Sequence, residues 1–336
     1  MKLGIGVSED LPVAVQQSLA THVEHAGFAS LWTNEASGRD ALLLCQAWAA
    51  ATTDLHVGVG VLPMWTRSPA QLAMACATLQ EASGGRFLLG LGVSHPGTMG
   101  PWHGANVQRP LTASRELLTI LAQLEAGERS GVDGEVMSSQ RFRLAISPTP
   151  PPTRRYLAAM GPRMLALAGT MAGGTLLNWA GVDEVARAGA IVRDAAVDAG
   201  RDPADLEVAT YVRIAVDDDR DAARTALGAQ IAQYAALPAY AAHLERQGFG
   251  PAVARAKAAH KAGADAAGLT EALGDEALDA LGWAGTPRDD PSAVLAAYRD
   301  AGLDHLVARV VVVGDDPLAS ITAVIRTLDA HTEHAR

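Results

Sequence analysis

One imidazole, one carboxylate and several guanidinium groups in this chain follow directly on apolar runs, the places where a parallel α/β protein keeps its chemistry. Glu35 and Arg39 follow "SLWTN", and Gly60 and Val61 lie within "VGVGVLP", with Met64, Trp65 and Arg67 just beyond. Ser94, His95, Trp102 and His103 follow "RFLLGLG", Met160, Gly161, Pro162 and Arg163 follow "RRYLAA", and Asn178 and Trp179 close "GGTLLNW". Three of the six tryptophans stand at these ends. The set describes a wide apolar and aromatic pocket with few polar groups, which suits a flat ring better than a sugar. "MGPRM" at 160–164 passes from strand into helix. Its free N–H groups and helix dipole would hold a phosphate, with Arg163 adding charge, although a plain helix start reads the same way. His95 is the best-placed proton donor or acceptor, by residue type and by position.

The elements that must position these residues alternate along the chain. "KLGIGV" at 2–7 reads as a strand, followed by an amphipathic helix over roughly 11–26, the strand "FASLWTN" and the helix "DALLLCQAWAAAT". The third strand opens at Val57, and its helix starts near Pro69, a residue tolerated at the first helical position. "RFLLGLG", "RRYLAAM", "GGTLLNW", "LEVATYVRIAV" and "DHLVARVVVVG" supply strands four to eight. Glycine-containing stops precede strands at "HAGF", "EASGG", "MAGG" and "DAGLDH". Eight strands in this rhythm predict a (β/α)8 TIM barrel, a single domain over 1–336 with a long aperiodic loop at about 93–109 and a helical insertion at about 217–284. An open doubly wound sheet is the alternative, but "GIGVSE" and "GLGVSH" both lack the third glycine of the dinucleotide fingerprint.

Composition narrows the function. A net charge of −10 disfavours nucleic acid, and no apolar run or leader-like start points to a membrane or to export, so a cytoplasmic protein is expected. Cys45 and Cys76 lie in helix-like apolar stretches and read as buried free thiols. "GVSHPG" is not a nucleophile elbow, because proline stands two residues after Ser94. His22, Glu24 and His25 lie on a solvated helix face, and no metal is expected there. Arg154 and Arg155 stand at the start of the fifth strand and belong at the opposite end from the pocket.

In order, "LWTNEASGRDAL", "VGVGVLPMWTRSP", "GGRFLLGLGVSHPG", "RPLTASRELL", "LAAMGPRMLALAGTMAGG" and "GTPRDDPSAVLAAYRDAGLDHLV" resemble the bacterial luciferase-like superfamily, and within it the oxidoreductases that use the deazaflavin coenzyme F420. The resemblance implies a barrel enzyme transferring hydride between F420 and a small, moderately apolar substrate, and a homodimer. It implies a bulge with a cis peptide at Gly60–Val61 behind the central ring, although a purely structural bulge is also open. It places the phosphate tail near Met160, Gly161, Pro162 and Arg163, with Ser94 nearby and Arg39, Arg67 and Arg163 offsetting the anionic tail. It makes His95 and Glu35 the candidate catalytic groups, with Glu35 alternatively paired to a cation, and puts Trp65, Trp102, His103 and Trp179 on the substrate side. An FMN-dependent, oxygen-using monooxygenase and a noncatalytic ligand-binding member remain as alternatives.

Overall fold

In the computed structural model, which describes residues 1–332, eight parallel strands close on themselves. They are β1 (Lys2–Gly6), β2 (Ser30–Thr33), β3 (His56–Pro63), β4 (Phe87–Gly92), β5 (Arg154–Ala158), β6 (Gly174–Asn178), β7 (Glu207–Val216) and β8 (His305–Val310). Each pairs with the next, and β8 returns to β1 with Lys2 opposite His305. This is the TIM barrel expected from the alternation.

Helices α1 (Val13–His25), α2 (Ala41–Ala51) and α3 (Pro69–Ala82) connect the first four strands. Their starts follow local chemistry: Asp40 accepts from the N–H groups of Leu42 and Leu43, and Ser68 caps a helix whose first residue is Pro69. Gly27, Gly84, Gly85 and Gly302 adopt positive φ where helices stop before strands. Gly173 and Gly174 do not; Gly174 begins β6 instead. Glu24 faces the loop before β3, where it accepts from the N–H groups of Thr53, Asp54 and Leu55 rather than joining its neighbouring histidines. Cys45 and Cys76 are buried and free, and burial pushes the Cys76 thiol up to about 12.

The segment expected as an aperiodic loop contains a helix, α4 (Pro96–His103). Its Gly- and Pro-rich sequence has poor helix propensity, and its ends are made locally: His95 Nδ1 accepts from Gly97 N, and Gly104 stops the helix at φ 64°. Helix α5 (Pro110–Glu125) follows, then a small hairpin, then α6 (Pro162–Met171) and α7 (Val182–Asp198). The insertion opens with α8 (Arg220–Ala235) and ends in a short strand, Gly282–Gly285, not anticipated from sequence. That strand pairs with Arg213–Val216 of β7, beyond the point where β6 leaves it. The insertion has its own apolar cluster, closed against Trp179, Ala215 and Val311 at the ends of the last three strands. No helix among the described residues is long and apolar enough to cross a membrane.

Trp32, Leu88, Tyr156, Leu176, Ala209, Tyr211 and Val307 fill the barrel lumen. The glycines of β3 are what these side chains require. A Cβ on Gly58 would stand 2.7 Å from the Trp32 ring, and one on Gly60 would stand 2.5 Å from Tyr211 Oη and 2.6 Å from Leu176. What approaches the backbone so closely is the protein's own aromatic core.

Below the aromatic layer lies a polar plug. Trp32 Nε1 donates to Ser30 Oγ (2.8 Å), which meets His305 Nε2 (2.7 Å), while His305 Nδ1 meets Glu207 Oε1 (2.9 Å) and Lys2 Nζ reaches Glu207 Oε2 (3.0 Å). The serine–histidine–carboxylate order imitates a hydrolytic triad, but Ser30 is 0 % exposed and lies at the opposite end from the pocket, so the chain of bonds is structural. Burial opposes ionisation of Glu207, yet the bond and charge of His305 and the Lys2 ammonium outweigh it and hold the carboxyl well below its usual range. Its stabilising contribution is therefore complete above the unfolded carboxylate pKa of about 4.3 and is lost as pH falls through the lower folded value. Glu207→Gln should cost about 3 kcal/mol in urea unfolding at pH 7. The difference from wild type should shrink on acidification below about 4.

Candidate active site at the barrel mouth

The C-terminal ends of the strands carry the candidate residues, and local structure decides which of them are free to act. At the end of β2, Glu35 makes a two-pronged pair with Arg67 (Nη1–Oε1 2.6 Å, Nη2–Oε2 2.8 Å). Arg67 also reaches Asp40 at 2.6 Å, and Thr66 Oγ1 and Ala41 N point to the same Glu35 carboxylate. Both side chains are only 14 % exposed. The bond to Glu35 raises the Arg67 guanidinium above its ordinary value. Glu35 is thus committed to a cation, and that cation is Arg67 rather than Arg39. Arg39 donates to the carbonyls of Glu9 (3.3 Å) and Asp10 (2.6 Å), tying the loop after β2 to the loop after β1. Two of the three arginines expected to balance an anionic tail are therefore spent inside the protein, because internal acceptors lie closer.

On β3 the Gly60–Val61 peptide is cis, and Val61 is the extra residue of a bulge: Gly60 faces Gly90 while Leu62 faces Leu91. Tyr211 Oη donates to Gly60 O across the lumen at 2.7 Å. Val61 is half-buried and packs on the lumen cluster. Trp65 is half-buried, and its Nε1 donates to Val93 O at 2.8 Å, which fastens the end of β3 to the end of β4.

Ser94 and His95 are exposed, Ser94 at φ 55°, and Trp102 and His103 follow them on α4, with Trp102 56 % exposed. Met99, on the same helix, is buried and anchors it. Among the described residues, the one hydrogen bond of the His95 ring is to its own helix start. At the end of β5, Gly161 precedes α6 without a side-chain cap, and a Cβ there would meet nothing within 4 Å. Pro162 and Arg163 are exposed, and Arg163 makes no ion pair or side-chain hydrogen bond among the described residues. The Met160 carbonyl accepts from Arg246 of the insertion at 2.9 Å.

Trp179, expected on the substrate side, is 1 % exposed and lies in the insertion core. Its backbone is left-handed (φ 53°), and its carbonyl accepts from His243 Nε2 (3.1 Å) and Gln247 Nε2 (2.8 Å), which turn the chain inward. The mouth also holds residues that sequence reasoning passed over. Arg213 of β7 donates to Asn178 Oδ1 and stacks on Trp179, 3.9 Å from the ring centre. Arg309 of β8 donates to Val7 O and to Asn34 Oδ1 (2.7 Å), and Asn34 in turn donates to the buried Glu9 (2.9 Å). Their sequence signal is an arginine inside each of two apolar strand runs, "TYVRIAV" and "LVARVVV". A charge there has to point to a functional or paired environment.

This geometry can bind a flat ligand on an apolar, partly aromatic surface, with an open helix N-terminus for a phosphate and guanidinium groups deeper in the mouth. The comparisons agree with the architecture. The chain is 31 % identical to 5,10-methylenetetrahydromethanopterin reductase of Methanolobus tindarius over 92 % of its own length and 94 % of the relative. It is 30 % identical to a putative coenzyme F420-dependent oxidoreductase of Mycobacterium tuberculosis over 70 % of its length and 72 % of that protein. The solved coenzyme F420-dependent tetrahydromethanopterin reductase of Methanopyrus kandleri superposes with a TM-score of 0.82 at 23 % identity, covering 98 % and 99 % of the two chains. Residues 4–305 match the family described as luciferase-like monooxygenase, and the chain belongs to that family.

Proposed function

We propose that this protein is an F420-dependent oxidoreductase that moves hydride between the deazaflavin and a small, moderately apolar organic substrate. The observation that carries the choice is a set of relatives about 30 % identical over most of the chain, two named as 5,10-methylenetetrahydromethanopterin reductase and one as a putative coenzyme F420-dependent oxidoreductase. When bound, the deazaflavin supplies a carbon centre that gives or accepts hydride and reacts poorly with oxygen.

The residues present fit such a group. The uncapped start of α6, with open space at Gly161 and with Arg163 in no ion pair among the described residues, is suited to hold a phosphate. Val61 and Trp65 offer an apolar, half-buried surface that keeps water from a flat ring. The Glu35–Arg67–Asp40 cluster fixes the ends of β2 and β3 against each other, so that this surface keeps its shape. His95 is exposed, and with Nδ1 accepting from Gly97 N its neutral ring carries the proton on Nε2, which is free to donate to the substrate; taking a proton up requires the ring to leave Gly97 N. Trp102 and His103 stand on the same short helix and would border the substrate. In this reading the enzyme works in the cytoplasm as a homodimer.

Anaerobic titration of the ligand-free protein with oxidised F420, and separately with FMN, tests the cofactor. Tight F420 binding with FMN roughly tenfold or more weaker is expected, a difference of about 1.4 kcal/mol. Preference for FMN would replace hydride transfer by the oxygen chemistry that the family's name describes. Arg163→Ala should weaken F420 binding about tenfold, with a reduced dependence on salt and little change in melting temperature. Glu35→Gln should lower stability by about 2 kcal/mol while turnover of an accepted substrate stays within about threefold of wild type. A collapse in turnover without loss of stability would return Glu35 to a direct chemical role.

A further inference from the structure

Two arginines stand opposite each other on neighbouring strands in the barrel mouth, and no carboxylate among the described residues pairs with either. Arg213 and Arg309 are register partners across the β7–β8 ladder. Both point inward: Tyr211, two residues before Arg213 and so on the same face, crosses the lumen to Gly60, and Val307, two before Arg309, belongs to the lumen cluster. Arg213 is 5 % exposed. Its partners are the Asn178 amide oxygen and the faces of Trp179 and Tyr234, and its Nε finds no acceptor. The Trp179 Nε1 stacked beside it is orphaned too. Arg309 is satisfied by a carbonyl and an amide, and Glu9 reaches it only through Asn34. Among the described residues neither arginine meets a carboxylate.

A buried cation next to a second cation is expensive, and native structures keep such charges paired. Burial above all, and the charge of Arg309, push Arg213 down to about 10, which leaves it charged at neutral pH. Arginine and indole N–H groups only donate, so what the orphaned atoms lack is an acceptor. A neighbouring pair of planar cationic forks calls for that acceptor to be anionic, planar and delocalised. The level of the pair matters as well. Arg213 lies one inward-facing position beyond Tyr211, whose hydroxyl rests on Gly60, so the pair stands at the barrel level just beyond the β3 bulge.

We propose that Arg213 and Arg309 form an oxyanion-recognition site in the barrel mouth, built for a planar delocalised oxyanion. That oxyanion has two possible sources: a carboxylate or enolate on the organic substrate, or the ionised pyrimidine edge of the bound ring. Only the second source rests on the cofactor reading above.

The experiment compares wild type with Arg213→Met and Arg309→Gln in two arms. In the first, cofactor-free protein is titrated calorimetrically with benzoate and with its neutral isostere benzamide. Wild type should prefer benzoate at least tenfold, and the preference should vanish in both variants if the substrate supplies the anion. In the second, oxidised and dithionite-reduced F420 are titrated anaerobically. A tenfold or greater loss of affinity for the reduced form alone, in both variants, assigns the anion to the ring. Unchanged ligand affinities in both arms overturn the proposal. Should wild type bind no F420, the cofactor reading fails, and the benzoate arm still decides the site. Thermal melting gives an independent readout: relieved of an unpaired buried charge, Arg213→Met should melt no lower than wild type, whereas a large drop with benzoate and F420 binding retained would make Arg213 purely structural. If Arg213→Met does not fold, Arg213→Lys, which keeps the charge and loses the fork, should lose the same ligand preference.

Discussion

The contact between the Tyr211 hydroxyl and the Gly60 carbonyl sets the level at which this barrel stops being a packed core and becomes a binding mouth. Below it, aromatic side chains lie directly on β3 because glycine leaves them room: Trp32 over Gly58, and Tyr211 with Leu176 over Gly60. Above it, the same strands turn to asparagine, arginine and the Val61 bulge. A side chain on Gly60 would have to displace Tyr211, whose ring centre stands 5.9 Å from the Arg213 guanidinium. The bulge, the lumen packing and the mouth electrostatics thus depend on one close approach of side chain to backbone.

The chain carries a net charge of −10, yet its mouth is organised around cations. They fall into two groups. Arg39 and Arg67 are consumed in shaping the loops after the first three strands, where carbonyls and carboxylates outnumber them. Arg163, Arg213 and Arg309 face no carboxylate among the described residues, one at the rim and two deep inside. Local charge at a site is decided by which cations the fold has already neutralised, and neither net charge nor a count of arginines near strand ends reveals that.

The architecture was legible because its signals are local and repeated. Eight apolar runs, the helix start at Pro69 and the glycine stops before β2, β4 and β8 each fix an element without help from the rest of the chain. Helix α4 escaped notice because its residues are poor helix formers and the His95 cap and Gly104 stop carry it instead. The site was legible in outline only. Strand ends locate the mouth, but no periodicity says that Glu35 would find Arg67 rather than Arg39, or that Trp179 would turn into the insertion core at a left-handed residue. Arg213 and Arg309 were readable as charges inside strand runs. What they do depends on the neighbours that barrel closure brings to them.

Closure itself has a consequence for how the protein is made. Lys2 and His305 are ladder partners, and the Ser30–His305–Glu207 chain joins strands from both ends of the sequence. While the ribosome is still adding the insertion, β1 has no partner on one side and the lumen has no lid over Trp32. A nascent chain in that state shows an open strand edge and buried-type aromatic surface to the cell for most of its synthesis. Its yield in a living host should therefore depend on chaperone capacity and elongation rate more than on the stability of the finished barrel.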